Sequence, residues 1–175
     1  MTRNIATGSK RASLITMNFY FAYGSNMNPS RVESRQMPFS GFESGVLKGY
    51  RLVFNKRSTI IPGAASANIE PAADDQVEGV IYALKDEYGI DAMDPFEGYP
   101  VRYDRTLVDI EMKQSNVQSW VYIANEAYRQ SGLLPAAWYL NHLLAGEPYL
   151  SQPYFERLCR QPCLPNSDLE PRVEG

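Results

Sequence analysis

The stretch that most constrains the fold is Phe19-Tyr20-Phe21-Ala22-Tyr23-Gly24-Ser25-Asn26-Met27-Asn28-Pro29, an apolar run that breaks into a small polar turn. Phe19, Phe21 and Tyr23 share one face at period two and Tyr20 and Ala22 the other, and apolar residues on both faces require a strand covered on two sides. Gly24 can adopt backbone angles closed to other residues, while Ser25 and Asn26 can turn their side chains back onto the main chain. Asn28 before Pro29 is an N-cap and first-turn signal, so a short helix through Ser30, Arg31 and Val32 is expected. The chain then leaves a sheet with free amide N–H groups just ahead of a helix start. That makes a cup of donors suited to a carboxylate or a polarised carbonyl oxygen. Such turns also occur as plain connections, and the turn alone is explained that way too.

A length of 175 residues, 44% of them hydrophobic and 21% charged, fits one globular domain with a sizeable core. Net charge −3 and a pI near 5.2, with basic residues scattered, give no electrostatic footprint for nucleic acid. No stretch approaches the ~20 apolar residues that span a bilayer, so no membrane partner is expected. Cys159 and Cys163 have no second pair and one distant histidine, which argues against a metal site; two buried or free thiols in a reducing compartment, or an unforced disulfide, account for them. Residues 1–16 have no acidic side chain and no apolar core of a secretory signal, and read as a disordered lead, the start of a transit peptide or the product of an upstream start codon. The domain is expected over 17–163, with 164–175 as a tail.

Along the chain, Phe42 to Leu47 and Tyr50 to Asn55 read as two strands joined at Lys48-Gly49, and Ser66 to Glu70 as a brief strand stopped by Pro71. Val77 to Leu84 is the most strand-like segment, and Gly79 inside it suggests a bulge or a close backbone approach, which a ligand beside that strand would require. Lys85 to Met93 is a short helical stretch, and Val101 to Lys113 with Val117 to Ala124 form a hairpin. Helices are expected from Pro135, with Ala136, Tyr139, Leu140, Leu143 and Leu144 on one face, and from Pro153 through Leu158. The sum is about six strands with peripheral helices, an α+β domain.

Asp94-Pro95-Phe96-Glu97-Gly98 carries the candidate acid-base, Glu97. Asp94 and Glu97 have capping-box spacing, so backbone satisfaction alone also explains the glutamate. Ser25 as a nucleophile lacks the glycine context of a nucleophile elbow and would need His142 as its base, whereas His142 lies opposite the apolar helix face with Trp138 and reads as solvated or loosely packed. No phosphate-binding lysine motif follows the turn.

Tyr23-Gly24-Ser25-Asn26-Met27 resembles the Tyr-Gly-Ser-Asn-Leu signature of the gamma-glutamylcyclotransferase family. Met93-Asp94-Pro95-Phe96-Glu97-Gly98 resembles its Leu-Asp-x-x-Glu-Gly motif, with Met for Leu. Gly45 to Leu52, Ala67 to Pro71, Val77 to Tyr82 and Tyr149 to Leu158 are similar to family segments in the same order. The resemblance implies a small mixed β-barrel with flanking helices, Glu97 as catalytic acid-base, and a substrate site at Tyr23, Gly24, Ser25, Asn26, Met27 and Tyr103. It implies cyclisation of a small γ-glutamyl amine or amino acid to 5-oxoproline by a cytoplasmic monomer or homodimer, without metal or cofactor. Asn68, where members often carry Ser or Thr, and the spacing from Gly98 to Tyr103 depart from the pattern and bear on substrate identity. A non-catalytic small-molecule-binding module with the same cup is the alternative reading.

Overall fold

The computed structural model describes residues 18–171; the expected lead at 1–16 and the end of the tail, 172–175, lie outside the described residues. Five strands, β1 (Asn18–Ala22), β2 (Phe39–Arg57), β3 (Ala65–Leu84), β4 (Tyr103–Glu111) and β5 (Asn116–Ala124), close into a barrel in the order β1-β3-β2-β4-β5. Neighbours pair antiparallel except where β5 returns to β1 in parallel at Tyr20 and Trp120, so the pairing is mixed as expected.

The four strands expected between Phe42 and Leu84 are two. β2 and β3 form one long hairpin that pairs Phe39 with Leu84 at one end and Arg57 with Ala65 at the other. Lys48-Gly49 and Pro71 shift the register without ending the strands: Lys48 pairs Gln76 and Tyr50 pairs Pro71, leaving the extra residues of β3 bulged opposite Gly49. A bulge bends a strand and absorbs a proline, whereas in sequence it looks like a stop.

β1 is buried on both faces, as its composition requires. Phe19, Phe21 and Tyr23 join Leu47, Ile69, Val77, Ile81, Ile110 and Val121, all contributed by strands, in a core inside the barrel. Tyr20 and Ala22 face the second core with Tyr82, Tyr122, Met93 and residues of the helices, among them Val32, Leu140, Leu143 and Leu158. Gly79 meets the close backbone approach expected of it, and the approaching backbone is that of β1. A Cβ there would run into the carbonyl oxygen of Ala22 and sit 3.0 Å from the Phe21 ring, so the glycine admits β1 rather than a ligand.

The helices are α1 (Pro29–Ser34), α2 (Asp94–Glu97), α3 (Ala137–Leu144) and α4 (Gln152–Cys159). Asn28 caps α1 through its side chain, which accepts from the Ser30 amide at 3.1 Å. α3 starts two residues beyond Pro135 because its first amides are satisfied from far along the chain. Ser167 accepts from Ala137 N through its hydroxyl at 2.9 Å and from Trp138 N through its carbonyl at 3.0 Å. Residues 164–171 of the expected tail thus run against α3, and Glu170 bonds Arg31 at 2.8 Å. No helix among the described residues is long and apolar enough to cross a membrane. Cys159 and Cys163 are free thiols.

Candidate active site

Asp94 and Glu97 do not form the capping box that their spacing suggests. The N-cap of α2 is Met93, without a side-chain cap bond. The Asp94 carboxylate is held instead by Arg105 at 2.9 Å and the Tyr122 hydroxyl at 2.6 Å. This fastens α2 to the barrel wall and frees Glu97 from the backbone. Gly98 closes the helix in the left-handed conformation, φ 70°.

Glu97 turns toward the stretch after β1, where residues Ser25–Met27 form one 3-10 turn. Asn26 Nδ2 donates to Glu97 Oε1 at 3.1 Å and to the Tyr20 hydroxyl at 2.8 Å. Arg35, from the end of α1, donates to Asn26 Oδ1 at 2.9 Å, approaches Glu97 Oε1 at 3.6 Å and stacks on the Phe96 ring at 4.8 Å. The Tyr82 hydroxyl donates to the Asn26 carbonyl at 2.8 Å, so the asparagine is fixed at both ends. Burial pushes the Glu97 carboxyl above the ordinary carboxylate range, with Arg35, then Lys56, Arg102 and Arg31, pulling the other way. The side chain stays 18% exposed, which leaves it reachable from a cavity.

Two adjoining cavities meet at this carboxylate. The inner one, about 30 Å³, is walled by Tyr20, Tyr23, Tyr103, Tyr122 and Tyr139. The outer one, about 130 Å³, opens among Arg31, Arg35, Lys56, Arg102, Trp138 and the 58–61 loop. Ser25, Glu97, Tyr103 and Tyr139 line both. The Tyr23 hydroxyl donates to the Tyr122 carbonyl at 2.5 Å and the Tyr103 hydroxyl to the Ala67 carbonyl at 2.8 Å. Burial holds both phenols well above their ordinary range, so they stay neutral walls.

The opening amides of the turn have a side chain beside them. In a 3-10 turn the opening N–H groups precede the first internal bond, here Met27 N to Gly24 O at 2.9 Å. The Tyr139 hydroxyl sits against them: it accepts from the Ala67 amide at 3.0 Å and meets the Ser25 backbone as well. Gly24 has φ −113°, so left-handed angles are not what it supplies. A Cβ at this position would lie 3.0 Å from the Tyr139 hydroxyl and 3.3 Å from Ala67 Cβ. Space is the reason for the glycine.

Of the residues expected at the site, Glu97, Tyr23, Gly24, Ser25, Asn26 and Tyr103 come together. Met27 does not: its side chain is wholly buried in the second core and lines neither cavity. A 3-10 turn rotates successive side chains by about 120°, so with Ser25 toward the cavity Met27 points away from it, into the packed core. His142 is half-buried and held by polar partners rather than solvated or loosely packed: Asn28 and Arg31 lie at 3.0 Å and Glu170 at 3.1 Å, and among the described residues it makes no hydrogen bond to Ser25. Sequence reasoning missed Arg35, Lys56, Arg102, Tyr20 and Tyr139. Their local patterns are those of any helix or strand, and only the fold brings them to one carboxylate. Among the described residues no three His, Cys, Asp or Glu side chains gather as a metal site requires.

The model of the gamma-glutamyl cyclotransferase, AIG2-like family matches residues 20–140 of the chain. Among solved structures, a Homo sapiens protein titled uncharacterized protein loc79017 is similar with a TM-score of 0.76 and 21% identity, over 90% of this chain and 93% of that one. A structure named Gamma-glutamyl cyclotransferase is similar with a TM-score of 0.75 and 20% identity, over the same shares of 90% and 93%. YkqA from Bacillus subtilis is similar with a TM-score of 0.72 and 24% identity, over 83% of this chain and 54% of that one. At these identities the likeness is one of fold. No curated protein matches the chain.

Proposed function

The chain belongs to the gamma-glutamyl cyclotransferase, AIG2-like family, and from that premise we propose that it cyclises the glutamyl part of a small γ-glutamyl amine or amino acid, with Glu97 as general acid and base. One observation carries the reading. A carboxylate released from helix capping stands where two cavities meet, with its oxygen fixed by Asn26 at 3.1 Å and its proton affinity raised by burial.

The reaction asks little else of a protein. The substrate's own α-amine attacks its γ-carbonyl carbon, a five-membered ring closes, and the bond from that carbon to the leaving nitrogen breaks. Glu97 as carboxylate takes the proton that the attacking nitrogen sheds, and as carboxylic acid gives it to the departing nitrogen. The products are 5-oxoproline and an amine, with no net proton consumed in these two transfers. A carboxyl raised toward neutrality suits both halves of the cycle better than an ordinary one. The amides at Gly24, Ser25 and Asn26 are the donors for the developing oxyanion or the α-carboxylate. The tyrosine walls compact the glutamyl chain and exclude water, which favours ring closure over hydrolysis.

This reading calls for no metal, nucleotide or covalent intermediate. It is compatible with a cytoplasmic setting, where thiols such as Cys159 and Cys163 stay reduced. The test is release of 5-oxoproline from a panel of γ-glutamyl amines and amino acids, with binding of the same panel followed by thermal shift. Release above the uncatalysed rate supports the enzyme. Binding without release assigns the site to a non-catalytic module.

A further inference from the structure

The outer cavity holds more positive charge than the site's own carboxylate can balance. Arg31, Arg35, Lys56 and Arg102 line it, and Glu97 is the acidic residue among its walls. Arg31 pairs with Glu170 at 2.8 Å and Arg35 approaches Glu97 at 3.6 Å. Lys56 and Arg102 pair with no carboxylate among the described residues; Arg102 reaches the Thr59 hydroxyl at 3.3 Å and the Phe96 carbonyl at 3.5 Å.

Lys56 is the sharper case. It is 5% exposed, its ammonium lies 5.4 Å from the centre of the Tyr103 ring, and no hydrogen bond from it to another residue is formed among the described residues. An ammonium on so little-exposed a residue, facing a cavity without a partner, is costly, and a strand residue of this kind would ordinarily be apolar. β2 places it on the wall of the outer cavity, beyond Glu97 from the tyrosine-walled pocket. If the glutamyl group occupies the inner pocket, the part of the substrate that faces Lys56 and Arg102 is the leaving amine.

We infer that Lys56 and Arg102 form a subsite for a carboxylate on the leaving amine, so that the enzyme selects γ-glutamyl amino acids or short γ-glutamyl peptides over γ-glutamyl derivatives of bare amines. The inference rests on the cyclotransferase reading for its substrate. A bound carboxylate neutralises the buried ammonium and gains a charge-assisted hydrogen bond from it, an interaction worth about 10- to 100-fold in rate or affinity. Arg102 supplies a second cation, its guanidinium held beside the cavity by the Thr59 hydroxyl and the Phe96 carbonyl. The subsite discriminates by what is left unpaired: a bare amine in the same place leaves Lys56 with nothing opposite it.

The experiment compares γ-glutamyl-alanine with γ-glutamyl-ethylamine, which differ by that carboxylate, on the wild type, Lys56→Met and Arg102→Gln. The readout is the ratio of kcat/KM for the two substrates, so that any common loss from altered packing cancels. The wild type should favour γ-glutamyl-alanine, Lys56→Met should lower the ratio about 10- to 100-fold, and Arg102→Gln should lower it less. A wild-type ratio near unity, or a ratio unchanged in Lys56→Met, overturns the subsite; equal losses on both substrates would assign Lys56 to the glutamyl α-carboxylate. Should the wild type cyclise neither compound nor any other of the γ-glutamyl panel, the cyclotransferase reading falls separately; whenever these two are not cyclised, the subsite is decided by binding of N-acetylalanine against N-ethylacetamide. Lys56→Met must then weaken N-acetylalanine alone, and equal binding of the two probes overturns the inference.

Discussion

Glu97 Oε1 lies 3.1 Å from Asn26 Nδ2, a bond across 71 residues that joins the two stretches carrying the site. One stretch leaves β1 as a turn, the other is a single helical turn after β3. Each is ordinary alone. Their meeting converts a glutamate that could have been a helix cap into a held, partly desolvated carboxylate, and it does so because Asp94 is already committed to Arg105 and Tyr122.

The proton affinity of Glu97 follows from what faces it. Burial raises its pKa above the ordinary value, while Arg35 foremost, then Lys56, Arg102 and Arg31, lower it. Asn26 donates to it, and Tyr20, Tyr23 and Tyr103 stand around it as neutral phenols. A carbon NMR titration of the carboxyl, assigned by its loss in Glu97→Gln, should show a midpoint above 4.5. Arg35→Met removes the largest opposing charge and should move that midpoint higher. Below the midpoint the group is protonated and cannot accept the amine's proton, so base activity is lost as pH falls through it. A midpoint at or under the ordinary value in both proteins would remove the physical basis of the acid-base role.

Lys56 gives a pH dependence of opposite sense. Burial foremost, with repulsion from Arg102, brings its ammonium down to about 8, opposed by Glu97. The Tyr103 ring is its other neighbour. The cation is present below that value and lost above it. The kcat/KM ratio of γ-glutamyl-alanine to γ-glutamyl-ethylamine should therefore fall as pH rises through about 8. In Lys56→Met the ratio should be flat across the same range, and a wild-type ratio that is also flat would contradict a charged partner at this position.

Gly24→Val should abolish substrate binding in a protein that still folds, because the new side chain enters space now taken by the Tyr139 hydroxyl at 3.0 Å. Tyr139→Phe in the Gly24→Ala background should recover part of what Gly24→Ala loses, since it removes the atom that the Cβ meets. Ser25→Ala should cost about 1 kcal/mol in binding, one neutral hydrogen bond, because the amide carries the contact. Circular dichroism and calorimetric titration of both variants check this. A folded Ser25→Ala that binds normally and is wholly inactive would reopen an acyl-enzyme route through the serine.

Gly79→Ala tests the fold apart from the site. Its Cβ would collide with the Ala22 carbonyl, which is backbone and cannot swing away, so destabilisation of roughly 1–3 kcal/mol or more is expected by denaturant unfolding. A change within about 0.5 kcal/mol would mean that β1 and β3 pack less closely than described.

The sequence displays the parts of this fold that depend on alternation and local chemistry. The two-faced burial of β1, the Asn28 cap and the helices after Pro135 and Pro153 all follow from residues close together in the chain. What it hides depends on partners brought from afar. Gly49 and Pro71 look like breaks until they are seen as a bulge, and Asp94 looks like a cap until Arg105 and Tyr122 claim it. Gly79 marks a close backbone approach, but only the fold shows that the Ala22 carbonyl makes it rather than a ligand. The site divides in the same way. The turn and Glu97 are legible as motifs, but Arg35, Lys56 and Tyr139 are single residues with no local mark.

The central claim is that Glu97 transfers protons, and Glu97→Gln tests it with little change of shape, because a glutamine keeps the length of the side chain while losing its base. The measurement is 5-oxoproline release by the folded variant and the wild type under identical conditions, with substrate affinity measured alongside. The account predicts retained binding and turnover reduced by at least the ~10²-fold that general acid-base catalysis contributes. Turnover at the wild-type rate would contradict it and leave Glu97 a structural residue.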